Sequence, residues 1–423
     1  MKIRVKAVVS WCLYDWANSA FPTVIGTFIF GTYYTQAIAA TPEEGAAEWG
    51  VALGLSALLV AVASPVLGAV ADQAGPRKPW IGVCTALCVG ATAMLWFATP
   101  TPSSALYALV LVALASAAFE FTMVFYNAML ADVAPLSHLG RVSGWGWGLG
   151  YVGGLAALVL CLVGFVQAPT PWFGVGTEAA ANIRATALLV ALWYGVFCMP
   201  LFWFVPDLPS RGRGLASAAR DGLAALSKTI RQARRHENII RFLIARMLYI
   251  DGLGTLFAFG GIYAAGSFGM TLADVIKFGI ALNVTAGLGA AAFAWMDDRL
   301  GAKPVIVVSL VAMIGFGTAM LLVESVLWFW LSGLALGIFV GPAQAASRTL
   351  MARLAPAENR TEMFGLYAFS GKATGFLGPF ILAAAITLTG SQRAGMAVII
   401  VFFVAGLVLL LPVREPGASS QAS

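Results

Sequence analysis

Six ionisable side chains lie inside long apolar runs, where charge is rare. They are Asp15, Glu120, Arg246, Asp251, Arg348 and Lys372. A charge inside a membrane-spanning helix is energetically costly, so such residues normally face protein or a water-filled cavity. Buried carboxylates can carry protons, whereas guanidinium and ammonium groups can hold the anionic part of a ligand. These six residues are therefore the first candidates for chemistry within a membrane.

Polar neighbours at helical spacing lie beside three of these positions. Residues three, four or seven apart share one face of a helix. The pairs with this spacing are Asp15 with Asn18, Glu120 with Asn127, and Gln344 with Arg348. Trp16, next to Asp15 in the chain, is equally consistent with a cavity wall and with core packing. Each pair can present a charge and a hydrogen-bonding amide to the same space.

The residue types predict two roles and leave one alternative open. We expect proton coupling from the acids, which are Asp15, Glu120 and Asp251. We expect substrate binding from the cations and their polar neighbours, which are Arg348, Lys372, Asn18, Gln344, Asn127 and Trp16. A cavity with both signs of charge suits a zwitterion such as an amino acid. The alternative is that the cations neutralise buried acids as internal ion pairs without any ligand.

The sequence contains no signature of catalysis or of a bound cofactor. The only histidines, His138 and His236, lie in loops between apolar runs. The text Gly148-Leu-Gly150-Tyr-Val-Gly153 matches a dinucleotide-binding fingerprint, but no strand precedes it and it lies inside an apolar run. Its glycines instead permit close helix packing. We therefore predict no enzyme activity, no cofactor and no metal site.

The elements that position these residues are membrane-spanning helices. Of the 423 residues, 60% are hydrophobic and only 10% are charged, whereas a soluble domain carries roughly 25% charged residues. Apolar runs of about 20 residues match helices that cross a hydrocarbon core of about 30 Å. The runs predict an all-α integral membrane protein with twelve spans. These lie at residues 8–38, 48–71, 79–98, 103–131, 143–167, 184–205, 239–264, 273–295, 303–323, 326–352, 362–389 and 394–412.

Basic residues are concentrated on one side of this arrangement. Most of the 25 Lys and Arg residues fall at the N-terminus, in the middle loop and in the loops after even-numbered spans. Basic loops stay in the cytoplasm, so we expect both termini there and the spans in the plasma (inner) membrane. Because the basic residues border membrane helices, the net charge of +6 indicates orientation and argues against nucleic-acid binding. The expected partners of this predicted monomer are lipid, protons and a small solute.

The pattern of landmarks occurs twice, which divides the chain into two halves. Asp72 and Gly75 follow the second span at the same spacing as Asp298 and Gly301 follow the eighth. Two parallel halves related by an axis along the membrane normal are a transporter plan. We predict six-helix bundles at residues 1–205 and 239–412, a cytoplasmic linker at 206–238 and a cytoplasmic tail at 413–423.

The linker has leucines at 215, 223 and 226 and an isoleucine at 230, loosely spaced as on one face of a helix. Basic residues lie on the opposite face. This pattern predicts an amphipathic helix on the membrane surface, and a plain tether between the halves is the alternative. The tail after Pro412 is predicted to be disordered.

The loop after the second span resembles a known signature. The stretch Gly68-Ala-Val-Ala-Asp72-Gln-Ala-Gly75-Pro-Arg77-Lys78 resembles the motif between spans two and three of the major facilitator superfamily. A narrower likeness rests on Tyr14-Asp15-Trp16-Ala17-Asn18-Ser19-Ala20-Phe21, Tyr126-Asn127-Ala128, Ser347-Arg348 and Ser370-Gly371-Lys372. These segments resemble the branch that contains the yeast vacuolar amino-acid effluxer linked to autophagy, and its bacterial relatives. The resemblance implies two pseudo-symmetric bundles in the major facilitator fold.

The resemblance also implies a gate at the cytoplasmic ends of the helices. In the superfamily, the Asp and Arg of this motif brace those ends in one conformation. On that basis Asp72, Arg77 and Arg141 form a breakable latch in which Asp72 pairs with Arg141; topology anchoring by basic residues is the alternative. The second copy departs from the motif at Leu300 and Ala302. The corresponding gating candidates there are Asp298 and Arg360.

Together these features predict a secondary transporter that works by alternating access. We expect it to move a small polar, zwitterionic or anionic organic solute, similar to an amino acid, with a proton gradient as the driving force. Two alternatives stay open at this point. One is a receptor or scaffold that has a transporter fold without turnover, and the other is a uniporter or channel for another solute class such as a sugar or organic anion.

Overall fold

A computed structural model describes residues 4–212, 214–231 and 236–416, and within these ranges the chain forms helices and connecting loops. The first half contains α1 (Val5–Asn18, continued by Phe21–Phe28, Phe30–Tyr33 and Tyr34–Ile38), α2 (Pro42–Ala74), α3 (Lys78–Met94), α4 (Ala105–Ala128), α5 (Leu139–Cys161) and α6 (Ala181–Phe197). The linker contains α7 (Leu215–Arg231). The second half contains α8 (Glu237–Phe268), α9 (Leu272–Leu300), α10 (Ala302–Leu322), α11 (Val326–Leu354), α12 (arms Arg360–Lys372 and Leu377–Thr389) and α13 (Gln392–Leu410).

The helices agree with the predicted spans. Within the described ranges, eleven helices are long and apolar enough to cross a membrane. The first span falls outside that group because α1 is divided into α- and π-helical segments after Asn18. Pro22, at the start of the first π-helical segment, has no N–H to donate and so interrupts the regular ladder of hydrogen bonds. With this divided first span, the structure is consistent with the twelve spans predicted.

Helices pack within each half, and the most extensive contacts between the halves are along two pairs of helices. In the first half α1 packs on α5, and α4 packs on α2 and α3; in the second half α8 packs on α13, and α11 packs on α9 and α10. Across the halves, α2 packs on α12 and α5 packs on α9. These two helix pairs therefore form most of the contact between the halves.

Glycines of α5 bring three helices close together. A Cβ placed on Gly144 would lie 2.5 Å from the carbonyl oxygen of Ala290 in α9, and one on Gly153 would lie 2.4 Å from that of Trp16 in α1. Real side chains do not approach backbone so closely, so larger residues here would force the helices apart. The glycine run predicted from sequence to allow close packing thus joins α5 to a helix of each half.

The linker helix α7 packs on the end of α2. A Cβ on Gly222 would lie 2.8 Å from the backbone nitrogen of Val70, and Leu226 is buried whereas Leu223 is exposed. The predicted apolar face is therefore only partly correct, since α7 presents small residues and Leu226 to α2. The side chains at 215 and 230 lie outside the described part of the chain.

The start of the C-terminal tail is ordered, so the prediction of disorder after Pro412 is wrong for residues 413–416. The Glu415 carboxylate accepts the backbone N–H groups of Ala302 and Lys303, both at 2.9 Å, and the Arg414 N–H donates to Asn238 Oδ1 at 2.7 Å. A carboxylate at a helix N-terminus satisfies donors that the helix itself cannot. Residues 417–423 lie outside the described ranges.

Candidate functional site

A cavity of about 770 Å³ with both apolar and charged residues in its wall lies between the two halves. Its walls come from α1, α2 and α4 of the first half and from α8, α11 and α12 of the second. Four of the residues predicted for proton coupling or substrate binding line it, and these are Glu120, Asp251, Gln344 and Lys372. These four residues lie on four different helices, so separate stretches of the chain meet in one shared cavity.

Glu120 and Lys372 form an ion pair across this cavity. The Lys372 Nζ and Glu120 Oε1 atoms are 2.8 Å apart, and the side chains are 33% and 27% exposed. Because α4 and α12 belong to different halves, the pair links the halves through a group that solvent can reach. An exposed pair of this kind is weak and exchangeable.

A break in α12 positions Lys372. The first arm ends at Lys372 and the second begins at Leu377, with the Leu377 N–H donating to the Thr374 carbonyl at 2.7 Å in the turn between them. Pro379 supplies no N–H and its ring disfavours a regular helix at residue 375, which is a glycine. The kink in this span thus falls at the cavity wall and places the ammonium group there.

Asp251 is a second acid in the cavity wall, with only 3% exposure. The Thr374 hydroxyl is close to it, yet within the described residues neither carboxylate oxygen makes a hydrogen bond of good geometry. Arg246, five residues earlier, turns away and donates to the Tyr367 carbonyl at 2.7 Å and the Ser370 hydroxyl at 2.9 Å. The two charges on α8 thus do not pair, as their spacing predicts.

Arg348 and Asp15 form a different ion pair, which is fully buried. Arg348 Nη1 is 3.1 Å from Asp15 Oδ2 and 3.3 Å from Asn127 Oδ1. The guanidinium also donates to the hydroxyl and the carbonyl of Ser143 at 2.9 and 2.7 Å, and it lies 4.7 Å from the ring of Trp11. Arg348 joins α11 to three helices of the first half, so most of its N–H donors are already occupied.

This buried group lies between the cavity and one end of the bundle. Arg348 is six residues from the end of α11, and Lys372 is twelve residues from the start of α12. At about 1.5 Å of rise per residue, Arg348 is closer to that end of the bundle. We call the end of the bundle that contains Asp72 and Asp298 the gate end. Arg348, Asp15 and Asn127 thus form a floor beneath the cavity.

Two predicted binding residues pack within the first half instead of lining the cavity. Trp16 stacks on Trp193 of α6 with ring centroids 5.3 Å apart. The Asn18 amide lies 3.6 Å from the Met123 sulfur in α4 and is 2% exposed. Gln344 does line the cavity. Its side-chain oxygen accepts the Tyr151 hydroxyl at 2.8 Å.

At the gate end, Asp72 of α2 holds the start of α12. Its carboxylate accepts the backbone N–H groups of Thr361 at 3.1 Å and Glu362 at 2.8 Å. Arg77 lies 3.8 Å from Asp72, donates to the Thr361 hydroxyl at 2.8 Å and pairs with Asp132. A carboxylate is favoured at a helix N-terminus by the exposed N–H groups and the helix dipole. These contacts close α2 onto α12.

Asp298, in α9 of the second half, makes the corresponding contact with the first half. It accepts the Gly140 backbone N–H at 2.8 Å and the Arg141 Nε–H at 2.5 Å, at the start of α5. The expected pairing of Arg141 with Asp72 is therefore wrong. Because α5 packs on α9 and α12 packs on α2, each half holds the helix start of the other.

Several acids that were not among the predicted residues complete the gate end. Asp132 pairs with both Arg77 and Arg360, the latter at 2.9 Å, so the predicted gating residue Arg360 acts across the halves. Asp207 accepts the backbone N–H groups of Arg77 and Lys78 at 2.8 and 2.9 Å, as Glu415 does for the start of α10. An acid close to the end of spans four, six and twelve is the signal that could have identified them.

The cavity is therefore closed at the gate end and extends toward the opposite end of α2, where Gly50 and Gly54 line it. Such an arrangement can admit a small molecule from one side while the buried ion pair and the two helix contacts seal the other.

Comparison with known proteins agrees with this architecture. Residues 51–423 match the family described as "Vacuole effluxer Atg22 like". The chain belongs to this Atg22-like family. Its relatives include YxiO, an uncharacterized MFS-type transporter of Bacillus subtilis (strain 168), which is 29% identical over 98% of this chain and 96% of that protein. The Atg22-like chain also matches autophagy-related protein 22-1 of Penicillium rubens at 25% identity over 64% of its length, and it spans about half (48%) of that fungal protein.

Solved structures share the fold. FucP, a major facilitator superfamily transporter in the outward conformation, has a TM-score of 0.75 at 12% identity, covering 98% of this chain and 99% of FucP. The human organic anion transporter MFSD10 has a TM-score of 0.74 at 13% identity, covering 97% of this chain and 100% of MFSD10. The predicted membrane fold of two six-helix bundles is confirmed. This Atg22-like protein is a major facilitator transporter and not an enzyme.

Proposed function

We propose that this protein moves a small zwitterionic or anionic organic solute, similar to an amino acid, by proton-coupled alternating access. The observation that carries the proposal is the partly exposed Glu120–Lys372 pair in a cavity between two halves that are sealed at one end. In the plasma membrane, the basic loops orient the gate end and both termini toward the cytoplasm.

The chemistry of the pair favours a ligand with both signs of charge. A carboxylate on the solute can replace Glu120 at the Lys372 ammonium, and an ammonium on the solute can be accepted by Glu120 or by Asp251. Each replacement exchanges one charge-assisted hydrogen bond for another. Gln344 lies on the same wall and offers a neutral donor and acceptor. Arg348, in contrast, has its hydrogen-bond donors committed to protein groups.

Proton coupling follows from having two acids and one exchangeable cation on the cavity wall. Protonation of Glu120 removes its attraction for Lys372, which then becomes available to a solute carboxylate or to Asp251 on its own half. Asp251 has no cationic partner among the described residues, so it can accept either a proton or the lysine. When the proton binds Glu120, the bond between the halves is released, whether Lys372 then contacts the solute or Asp251.

Alternating access requires the gate end to open. This means separating Asp72 from the start of α12 and Asp298 from the start of α5, and hydrating the Arg348–Asp15 pair. Because each contact joins opposite halves, a rocking motion of the two bundles breaks them together. The family description names a vacuole effluxer. Efflux from a vacuole runs into the cytoplasm, so this description supports movement of the solute toward the gate end.

The proposal can be tested with purified protein in liposomes. Amino acids, organic anions and sugars are first screened for thermal stabilisation, since a ligand that binds the folded state raises its apparent stability. Flux of each stabilising solute is then measured with and without an imposed pH gradient. We expect flux that depends on the gradient and is lost in Lys372→Ala, while Lys277→Ala, an exposed lysine of α9, transports normally.

Two outcomes would contradict the proposal in different ways. Binding without any flux would favour a receptor or scaffold. Flux that ignores the pH gradient, with Glu120→Gln and Asp251→Asn both active, would favour a uniporter.

A further inference from the structure

An apolar crevice lies on the membrane-facing side of the bundle, where the two halves meet. Its volume is about 980 Å³, larger than the 770 Å³ of the central cavity. Helix α5 forms the floor and α1 and α9 form the walls, and exposed apolar side chains such as Val9, Val152 and Leu288 line it. The crevice is thus a groove between two helices of the first half, α1 and α5, and one helix of the second half, α9.

The few polar groups in this crevice are already satisfied inside the protein. The Cys12 thiol lies 3.6 Å from the Val142 carbonyl, the Asn283 amide donates to the Gly279 carbonyl at 2.8 Å, and the Tyr151 hydroxyl donates to Gln344. An occupant is therefore offered apolar surface along the length of the groove, which a hydrocarbon chain fits and a polar metabolite does not.

The length of the groove fits an acyl chain. On α5 the lining residues run from Trp145 to Leu160, which at about 1.5 Å per residue is roughly 22 Å. One leaflet of a hydrocarbon core is about 15 Å thick. The whole length of an acyl chain can therefore lie in the groove, with the lipid headgroup at the gate end.

The gate end of the groove is basic and aromatic. Arg4 and Lys6 flank Val5, which lines the groove, and both are exposed. On the other wall, Trp295 lies 5.9 Å from Trp145, ring to ring. Tryptophan pairs of this kind are typical of the membrane–water boundary. The groove therefore ends at the level of lipid headgroups.

A third basic residue, Arg299, is one helical turn beyond Trp295 and is exposed. Within the described ranges, Arg4, Lys6 and Arg299 form no ion pair with an acid. The neighbouring acids of α9 are already engaged: Asp297 lies 2.9 Å from Arg353, and Asp298 lies 2.5 Å from Arg141. The basic end of the groove thus lacks a counter-charge.

We propose that one anionic phospholipid binds in this crevice, with an acyl chain along α5 and its phosphate at Arg4, Lys6 and Arg299. Basic pockets beside membrane helices attract anionic headgroups, and the apolar groove supplies contact area for the chain. A second copy of the protein is a poorer occupant, because a symmetric dimer through this face would bring the same basic residues of both copies together. The lipid site is separate from the transport cavity, so it does not depend on the solute.

The experiment is a titration of delipidated, purified protein with phosphatidylglycerol or with phosphatidylcholine of the same chains, read by native mass spectrometry. We expect one tightly bound phosphatidylglycerol. The double variant Lys6→Ala/Arg299→Ala should weaken its binding by about thirtyfold, since each basic residue near an anionic surface contributes about a factor of five. The matched control Arg220→Ala/Lys228→Ala removes two exposed basic residues from α7 and should leave binding unchanged.

A second variant tests the groove and not the charge. Ala156→Phe adds a ring to the floor and should reduce binding of both lipids, while the protein stays monomeric and folded by size-exclusion chromatography. Equal binding of both lipids to the wild type would overturn the proposal, and so would unchanged phosphatidylglycerol binding in either crevice variant. A wild-type dimer that Ala156→Phe dissociates would assign the crevice to a protein interface instead.

Discussion

Two of the carboxylate–cation pairs that cross between the halves lie at or beneath the central cavity, and they differ mainly in burial. Glu120 and Lys372 are 2.8 Å apart and about one-third exposed, whereas Asp15 and Arg348 are 3.1 Å apart and almost fully buried. Lys372 has this one charged partner among the described residues. Arg348 has Asp15, Asn127 and two groups of Ser143. The Glu120–Lys372 pair is thus a replaceable contact, whereas the Asp15–Arg348 pair is part of a fixed floor.

The difference follows from what happens when one partner is removed. A buried charge that loses its partner stays in a medium that solvates it poorly, so the remaining charge is strongly destabilising. An exposed charge is rehydrated, and the net loss is small. Substitution of Arg348 should therefore mainly lower the stability of the protein, and substitution of Lys372 should mainly lower transport.

Arg348→Ala is expected to cause the largest loss of stability. It leaves the Asp15 carboxylate buried without its cation, which should lower the free energy of unfolding by about 3–5 kcal/mol. The measurement is thermal or denaturant unfolding of the purified protein in detergent.

The control for this prediction is a double variant. Asp15→Asn/Arg348→Met removes both charges and should recover much of the stability lost in Arg348→Ala. If the single variant unfolds like the wild type, Arg348 does not stabilise the floor in the way described here.

Lys372→Ala is expected to cause the largest loss of transport. A hydrogen bond to a charged group contributes about 1.5–3 kcal/mol, which corresponds to roughly ten- to hundredfold in flux of the solute. The exchange variant Glu120→Lys/Lys372→Glu sharpens the prediction, because it keeps the ion pair and reverses its direction. Recovered flux would indicate that the pair only bridges the halves, whereas continued loss indicates that Lys372 binds the solute.

The gate end gives a third test. Opening it must hydrate the buried Asp15–Arg348 pair before the Glu120–Lys372 pair can be reached from that side. A Cβ on Gly68 would lie 2.4 Å from the carbonyl oxygen of Thr361, so Gly68→Ala forces α2 away from α12. Overpacking of this kind costs about 1–3 kcal/mol, which should disfavour the closed state.

Spin labels can measure this change. Cysteines replacing Ser137 and Glu358, which are exposed at the gate end of opposite halves, would carry the labels in a background without native cysteines. We expect Gly68→Ala to lengthen the distance between them. The matched control Gly54→Ala, on the same helix with open space around its Cβ, should leave the distance distribution unchanged, and a similar shift in both variants would contradict the gate assignment.

The sequence predicted the spans, the twofold pattern and the acids of the cavity, because each depends on composition or spacing along one helix. The sequence did not distinguish Arg348, which lies in the buried floor, from Lys372, which lies in the cavity wall. Both stand inside apolar runs beside polar neighbours, and their surroundings differ only through contacts with distant segments. Ser143 lies 205 positions before Arg348 in the chain, and no periodicity within a span encodes such a contact.

The same limit explains the error at Arg141. The repeat relates Asp72 to Asp298 by spacing, but it does not tell which half supplies the partner. In the structure each acid reaches the helix start of the opposite half, so the pairing follows from the way in which the bundles face each other. Acids such as Asp132 and Asp207, which complete the gate end, were passed over because they stand at the ends of spans, where a charge needs no explanation.

The smallest expected effect completes the comparison between the two ion pairs. Glu120→Gln keeps the shape of the side chain and removes its charge, so Lys372 loses its attraction but remains in contact with solvent. An exposed pair contributes about 0.2–1 kcal/mol, and we expect the free energy of unfolding to fall by no more than this. Asp15→Asn, the equivalent change at the buried pair, leaves the Arg348 guanidinium uncompensated and should cost several times as much in the same unfolding assay. Equal losses for the two variants would mean that burial is not what distinguishes the pairs, and the assignment of one to structure and the other to transport would fail.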